Sequence, residues 1–239
     1  MNEFYVVIPS RLDSKRLTRK ALALIDGKPL IQWVYHRAIA SKAKSVIIAT
    51  DSEEIASVAR SFGAIVELTN GDHKSGTDRI FEVCDRLNWD DDQVVVNLQG
   101  DNPLMPPENI NQIAQMMNDC DIATLSAPIQ DHEIIDPNVV KVSTDPSSND
   151  ALFFKRNINS GDFKKNLRRH IGIYAYNVAS LKRFSLSPQS EDEKKEKLEQ
   201  LRAYSLDMRI KVEEAQLIPG PDVDTQDDLK LVQSILQND

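Results

Sequence analysis

The chain holds only two cysteines, Cys84 and Cys120, and no CxxC spacing. That excludes a disulfide framework and leaves reduced thiols, as in a cytosol. Neither stands near an obvious base in sequence, so both read as small hydrophobes on or beside helices. Long apolar runs are missing too. The first, Phe4–Val7, ends at Pro9, too short for the core of a signal peptide, and no later stretch approaches the ~20 residues that cross a bilayer. A cytoplasmic protein with no membrane partner is expected. Positive charge is in deficit, with 29 Lys+Arg against 37 Asp+Glu and a formal net charge of −8. A nucleic-acid or anionic-membrane partner needs a basic face and is not expected. Glycine is scarce at eight residues, and neither GxxxxGK[ST] nor GxGxxG occurs. A P-loop and a dinucleotide fingerprint are therefore excluded.

What is present is alternation. Runs rich in β-branched residues recur at Phe4–Pro9, Ser45–Thr50, Ala64–Leu68, Val94–Leu98 and Ile122–Ala127. Helical spacing separates the first four: Leu30, Val34 and Ala38 after Pro29; Ile55, Val58, Ala59 and Phe62 after Ser52, a good N-cap; Ile80, Val83, Cys84 and Leu87 after Thr77. Strands alternating with helices of this length predict βαβ crossovers and a mostly parallel open sheet, Rossmann-like, with helices on both faces. Val139–Val142, Ala151–Phe154 and His170–Tyr176 read as strands without intervening helices. They predict an antiparallel, β-rich flap over about residues 130–190, embedded in one domain spanning 1–239. Helices are expected over Glu191–Ser205 and Thr225–Leu236, the second capped by Asp224.

Against the acidic background, "IPSRLDSKRLTRK" (Ile8–Lys20) gathers Arg11, Lys15, Arg16, Arg19 and Lys20 directly after the first strand. Ligands of open parallel sheets bind outside the carboxyl ends of the strands. A basic loop there predicts a cradle for phosphates, held by side chains as much as by backbone. Asp101 ends the strand "VVVNL" at the same edge. Asp224 has the pattern of a helix cap, and paired with Asp101 it becomes a candidate second ligand for Mg²⁺, which takes hard oxygen donors and bridges to substrate phosphates.

The blocks "IPSRLDSKRL", "IDGKPLIQWV", "ATDSEEIA", "DHKSGTDRI", "VVNLQGDNPL", "RHIGIYAY", "KLEQLRAY" and "VDTQDDL" occur in one order along nearly the whole chain. In this it resembles the 3-deoxy-manno-octulosonate cytidylyltransferases, nucleotide-diphospho-sugar-transferase-like enzymes that activate an eight-carbon sugar acid for lipopolysaccharide. The resemblance implies CTP and a sugar acid as substrates and Mg²⁺ as cofactor. It also implies a homodimer formed through the β-rich region. Ser10, Arg11, Ser14, Arg16 and Lys20, with Ser75, Gly76, Thr77 and Arg79, would hold the nucleotide. Gln99, Arg156, His170, Glu199 and Gln200 would face the sugar. Lys20, Asp101 and Asp224 would be catalytic, the two aspartates holding the metal.

The chain departs from that pattern in places. Arg19 stands where the family loop usually has glycine, which removes a residue suited to positive φ. Asn102 replaces the usual Glu after Asp101, removing a carboxylate beside a metal ligand. Lys155, Asn157 and Asn159 flank Arg156 and are expected to add hydrogen-bonding groups near the sugar. These changes leave open the same reaction on a modified sugar acid, such as an amino-substituted one, and a non-catalytic paralogue that only binds nucleotide or sugar.

Overall fold

The computed structural model describes residues 3–14, 16–159 and 166–237, so Lys15 of the basic loop and Ser160 beside the Arg156 segment lie outside the described residues. Strand β1 (Phe4–Ser10) leads through a 3-10 turn (Lys20–Leu22) and a small hairpin, β2 (Leu24–Ile25) and β3 (Lys28–Pro29), into α1 (Leu30–Ile39). Then follow β4 (Ser45–Thr50), α2 (Glu53–Ser61), β5 (Ile65–Leu68), α3 (Gly76–Arg86), β6 (Val94–Leu98), α4 (Pro107–Gln115) and β7 (Ile122–Pro128). The flap region contributes α5 (Asp131–Ile135), β8 (Lys141–Thr144), β9 (Ala151–Lys155) and β10 (Arg168–Asn177). The chain closes with α6 (Val178–Ser185), α7 (Glu191–Glu196), α8 (Gln200–Ser205), β11 (Ile210–Glu214) and α9 (Gln226–Leu236).

The main sheet has the order β11-β7-β10-β6-β1-β4-β5. Parallel pairing joins β6, β1, β4 and β5, and also β7 with β11. The long β10 runs antiparallel to both β6 and β7, and its first residues also pair with β8, which pairs antiparallel with β9. The expected mixed, mostly parallel sheet and its antiparallel flap are both present, and β10 makes them continuous. Chain order moves outward from β1 to β4 and β5, then returns to the other side of β1 as β6. That reversal opens a crevice at the carboxyl ends of β1 and β6. Gly100 sits there because a Cβ would come within 2.9 Å of the Pro9 carbonyl oxygen.

Strand alternation builds a core on each face. Phe4, Val6 and Ile8 of β1 pack with residues of α1, α2 and α4, while Val7 faces the opposite layer with α3 and α6. Each fully buried Val or Ile contributes about 1.5–3 kcal/mol. A third cluster, with Ile25, Leu30, Leu104, Val223, Leu229 and Val232, seats α9.

Three expectations need correction. The helix expected over Glu191–Ser205 is two short helices, broken at Lys197 in the left-handed region (φ 54, ψ 47). Buried Arg202 folds back onto buried Glu193 at 2.6 and 2.8 Å, which a straight helix could not allow at a spacing of nine residues. Asp224 is not the cap of α9: Thr225 is, accepting from the Asp228 amide in a capping box, and this leaves the Asp224 side chain for the crevice. The first flap strand begins at Lys141 rather than Val139, because Val139 is held in a turn by its bond to the Asp136 carbonyl.

Candidate functional site

Two clefts of about 440 Å³ each meet at the crevice, and Gln99 and Glu199 line both. The first gathers Ser10, Arg11, Ser14, Arg16 and Lys20 from the loop after β1. Ser75, Gly76 and Arg79 come from the start of α3, and Asp101 and Asp224 complete it. Ser75 caps α3 through the Asp78 amide, so the positive end of the helix faces the cleft. The second cleft holds Gln99, Arg156, His170, Glu199 and Gln200, all five of the residues expected on the sugar side. Residues distant in sequence are thus sorted into two adjoining chambers.

In the first chamber, the Lys20 ammonium lies 2.7 Å from Asp101 Oδ2 and 3.0 Å from Asp224 Oδ1. Burial alone would lower its pKa, but the two aspartates outweigh burial and raise it. Arg16 binds the other oxygen of Asp224 at 2.8 Å. Two hard carboxylate donors therefore already converge on one cation, the donor chemistry of a Mg²⁺ site completed by substrate phosphates and water. Among the described residues no set of three or more His, Cys, Asp or Glu gathers to hold a metal on its own. Arg11 stays exposed at the cleft wall. Arg19 does not join it, because its guanidinium pairs with Glu54 of α2.

Two expected nucleotide residues have other duties as well. Arg79 is almost fully buried and pairs with Asp51 at 2.7 Å, while it also donates to the hydroxyl of Thr69 and the carbonyl of Asn70. Its charge is compensated, and it braces the loop that carries His73 and Lys74 to the cleft. Thr77 is buried and does not line either chamber; its hydroxyl donates to Glu199 Oε2 at 2.7 Å. That bond fixes the wall between the chambers. Burial pushes the Glu199 carboxyl upward, against the pull of Thr77 and Arg202.

In the second chamber, Arg156 donates to the backbone carbonyls of Pro137, Asn138, Glu196 and Lys197 at 3.2–3.5 Å. It ties the flap to the end of α7. His170 meets the Thr124 hydroxyl at 2.9 Å, lies edge-on to Phe154, and is pushed down to about 3 by burial. It is therefore a neutral hydrogen-bonding group. Gln200 donates to the Tyr174 hydroxyl, and its carbonyl oxygen is buried without a partner among the described residues. Lys155, Asn157 and Asn159 do not line the chamber, contrary to expectation: Lys155 lies over the Phe153 ring at 4.8 Å, and both asparagines are exposed.

Among the lining residues that sequence reasoning missed, three carry chemistry that bears on the site. His73 and Lys74 add polar groups to the first chamber, and only their place beside "SGTDR" could have marked them. Asp222 lines the second. It opens to solvent at the chamber surface yet is crowded by protein, and that crowding, then the charges of Asp101 and Asp224, push its carboxyl upward. The signal was available: in Asp222-Val223-Asp224 the buried Val223 forces both aspartates away from the core.

A family model described as Cytidylyltransferase matches residues 5–210. A 3-deoxy-manno-octulosonate cytidylyltransferase of Thioalkalivibrio sulfidiphilus is 44% identical over 98% of this chain and 99% of its own. One from Haemophilus influenzae is 42% identical over 98% of each. The solved structure of a CMP:2-keto-3-deoxy-manno-octonic acid synthetase complexed with CTP superposes with a TM-score of 0.91 at 36% identity, covering 99% of both chains.

Proposed function

The chain belongs to the cytidylyltransferase family, and from that premise we propose that it activates 3-deoxy-manno-octulosonate with CTP, giving the CMP-sugar and pyrophosphate for lipopolysaccharide biosynthesis. The observation that carries this reading is the pair of joined chambers, one lined by Arg11, Arg16 and Lys20, the other by Arg156, His170 and Gln200. Cations of the first suit a triphosphate, and the polar groups of the second suit a sugar acid.

Nucleotidyl transfer asks little covalent chemistry of a protein. It needs the attacking hydroxyl in line with the α-phosphorus, and neutralised charge on the leaving pyrophosphate. The shared wall of Gln99 and Glu199 sets the two substrates side by side. Arg11, Arg16 and Lys20 neutralise the phosphates. Arg156 provides the counter-charge for the sugar carboxylate, and neutral His170 and Gln200 orient hydroxyls. Asp101 and Asp224 are the residues that would hold Mg²⁺; the ion, when bound, supplies Lewis acidity at the α-phosphate and the sugar hydroxyl.

We further place the reaction in the cytoplasm, and infer a homodimer formed through the flap, where Ile135 and Leu152 expose large apolar side chains. Sedimentation of the free protein tests the dimer. Pyrophosphate release from CTP, screened across several 3-deoxy sugar acids with and without Mg²⁺, tests the function. Release that requires both the octulosonate and the metal is expected, and no release with any sugar acid would defeat the proposal.

A further inference from the structure

Asp222 lines the sugar chamber but not the nucleotide cleft, and it does not join Asp101 and Asp224 in a three-donor cluster. Its placement is built rather than incidental. Gly220 passes Leu104 so closely that a Cβ would meet its side chain at 2.5 Å, and the Val223 amide donates to the Asp101 carbonyl at 2.9 Å. With Val223 fully buried between them, Asp222 and Asp224 face the crevice together, one toward the sugar and one toward Lys20.

The neighbouring departure from the family pattern now has a physical reason. Buried Asn102 donates its side-chain amide to Asp222 Oδ1, and its own carbonyl oxygen is left buried with no partner among the described residues. Turning that amide over would set oxygen against carboxylate, so the unsatisfied arrangement is the better one. A glutamate at 102 would instead repel Asp222. Asn102 thus props a carboxylate whose second oxygen no other donor among the described residues reaches. On the flap wall of the same chamber, the hydrogen bonds that Arg156 makes among the described residues go to backbone carbonyls, so the chamber carries a carboxylate and a guanidinium that are not paired with each other.

The anomeric carbon of an octulosonate carries both the attacking hydroxyl and the carboxylate, and its two anomers exchange their positions. Resting on the functional reading above, we propose that Asp222 selects the anomer: it accepts a hydrogen bond from the hydroxyl and repels the carboxylate of the anomer in which the two groups have changed places. Arg156 draws the carboxylate to the flap wall. The hydroxyl oxygen keeps its lone pairs for phosphorus while its proton points at Asp222.

The two C2-epimeric 2-deoxy analogues of the sugar acid cannot interconvert and lack the attacking hydroxyl, so they report the carboxylate preference alone. Their competitive inhibition constants are compared in wild type, Asp222→Asn, Asp222→Ser and, for the prop, Asn102→Ala, each first checked by its melting curve. In Asp222→Asn the ratio of the two constants should shrink about tenfold, the size of one modest charge contact, while KM for CTP stays within about threefold. The serine variant should shrink it equally, and Asn102→Ala less. An unchanged ratio, or a change in KM for CTP as large as that for the sugar, overturns the proposal. Failure of wild type to release pyrophosphate with any octulosonate defeats the functional reading itself and is seen before any variant is made.

Discussion

Replacing Lys20 with Met tests its pairing with Asp101 and Asp224 most directly, because it removes a charge while keeping much of the side chain's length. Lys20 is 19% exposed, Asp101 27% and Asp224 37%. A fully buried pair costs about 3–5 kcal/mol when one partner is deleted, and an exposed pair about 0–1 kcal/mol. Partial exposure puts the Asp101 contact well below the buried figure and leaves the Asp224 contact near the exposed one. The loss should be about 1–3 kcal/mol, or roughly 3–10 °C in Tm for a chain of this size. Mg²⁺ sharpens the test. Wild type must move its ammonium aside to bind a cation between the aspartates, whereas the variant presents two unneutralised carboxylates, so titrated Mg²⁺ should raise the variant's Tm more than that of wild type. Melting curves in chelator and in rising Mg²⁺ make the comparison. A variant as stable as wild type in chelator, or equal Mg²⁺ effects on both, would refute the reasoning.

Asp101→Asn should remove more than nine-tenths of turnover with the fold intact, since a neutral amide is a weak Mg²⁺ ligand; retention of a tenth, a loss of only ~1.4 kcal/mol, would exclude the metal role. Arg16→Ala should weaken CTP binding far more than sugar binding, and the difference measured by calorimetry should shrink as salt is added. His170 has a folded pKa of about 3, below its ordinary value of 6.5, so its stabilising contribution is complete above pH 6.5 and is lost as pH falls toward 3. Wild type should therefore lose stability between those values with a slope steeper than that of His170→Gln, by up to about 1.4 kcal/mol per pH unit; parallel curves would show that the histidine protonates freely. Arg19→Gly should leave urea stability unchanged or raise it by up to about 1 kcal/mol, because the left-handed strain it relieves (φ 56) exceeds the exposed pair with Glu54 it gives up.

The sequence disclosed most where one physical rule dominated a stretch. Val94–Leu98 is buried on both faces, and its apolar run and bounds were readable directly. Helix α4 was hidden because its buried face is partly amide: Asn109 and Gln112 are buried and bind the backbone of residues 214, 216 and 217, so apolar periodicity is interrupted where packing is tightest. Strand β11 was hidden by Lys211, Glu213 and Glu214, which an edge strand can turn to solvent. At the site, charge density and strand-end position marked Arg11, Arg16, Lys20 and Asp101. The break at Lys197, which brings Glu199 into the crevice, depends on an ion pair between residues nine apart and has no local signature.

Arg19 and Asn102 are both departures from the family pattern, and the structure separates them. At Arg19 the backbone keeps the left-handed conformation that glycine would adopt freely, so the substitution leaves the loop's path in place and merely strains it. Its guanidinium turns to Glu54, away from the phosphate cleft. Asn102 lies beneath the carboxylate of Asp222, and its identity determines whether that carboxylate is supported or repelled. The first change is one of conformation, and it should register in stability. The second alters the field inside the sugar chamber, and it should register in which sugar epimer binds. A double substitution, Arg19→Gly with Asn102→Ala, should therefore give the sum of the two single effects in both measurements, since the two positions share no partner.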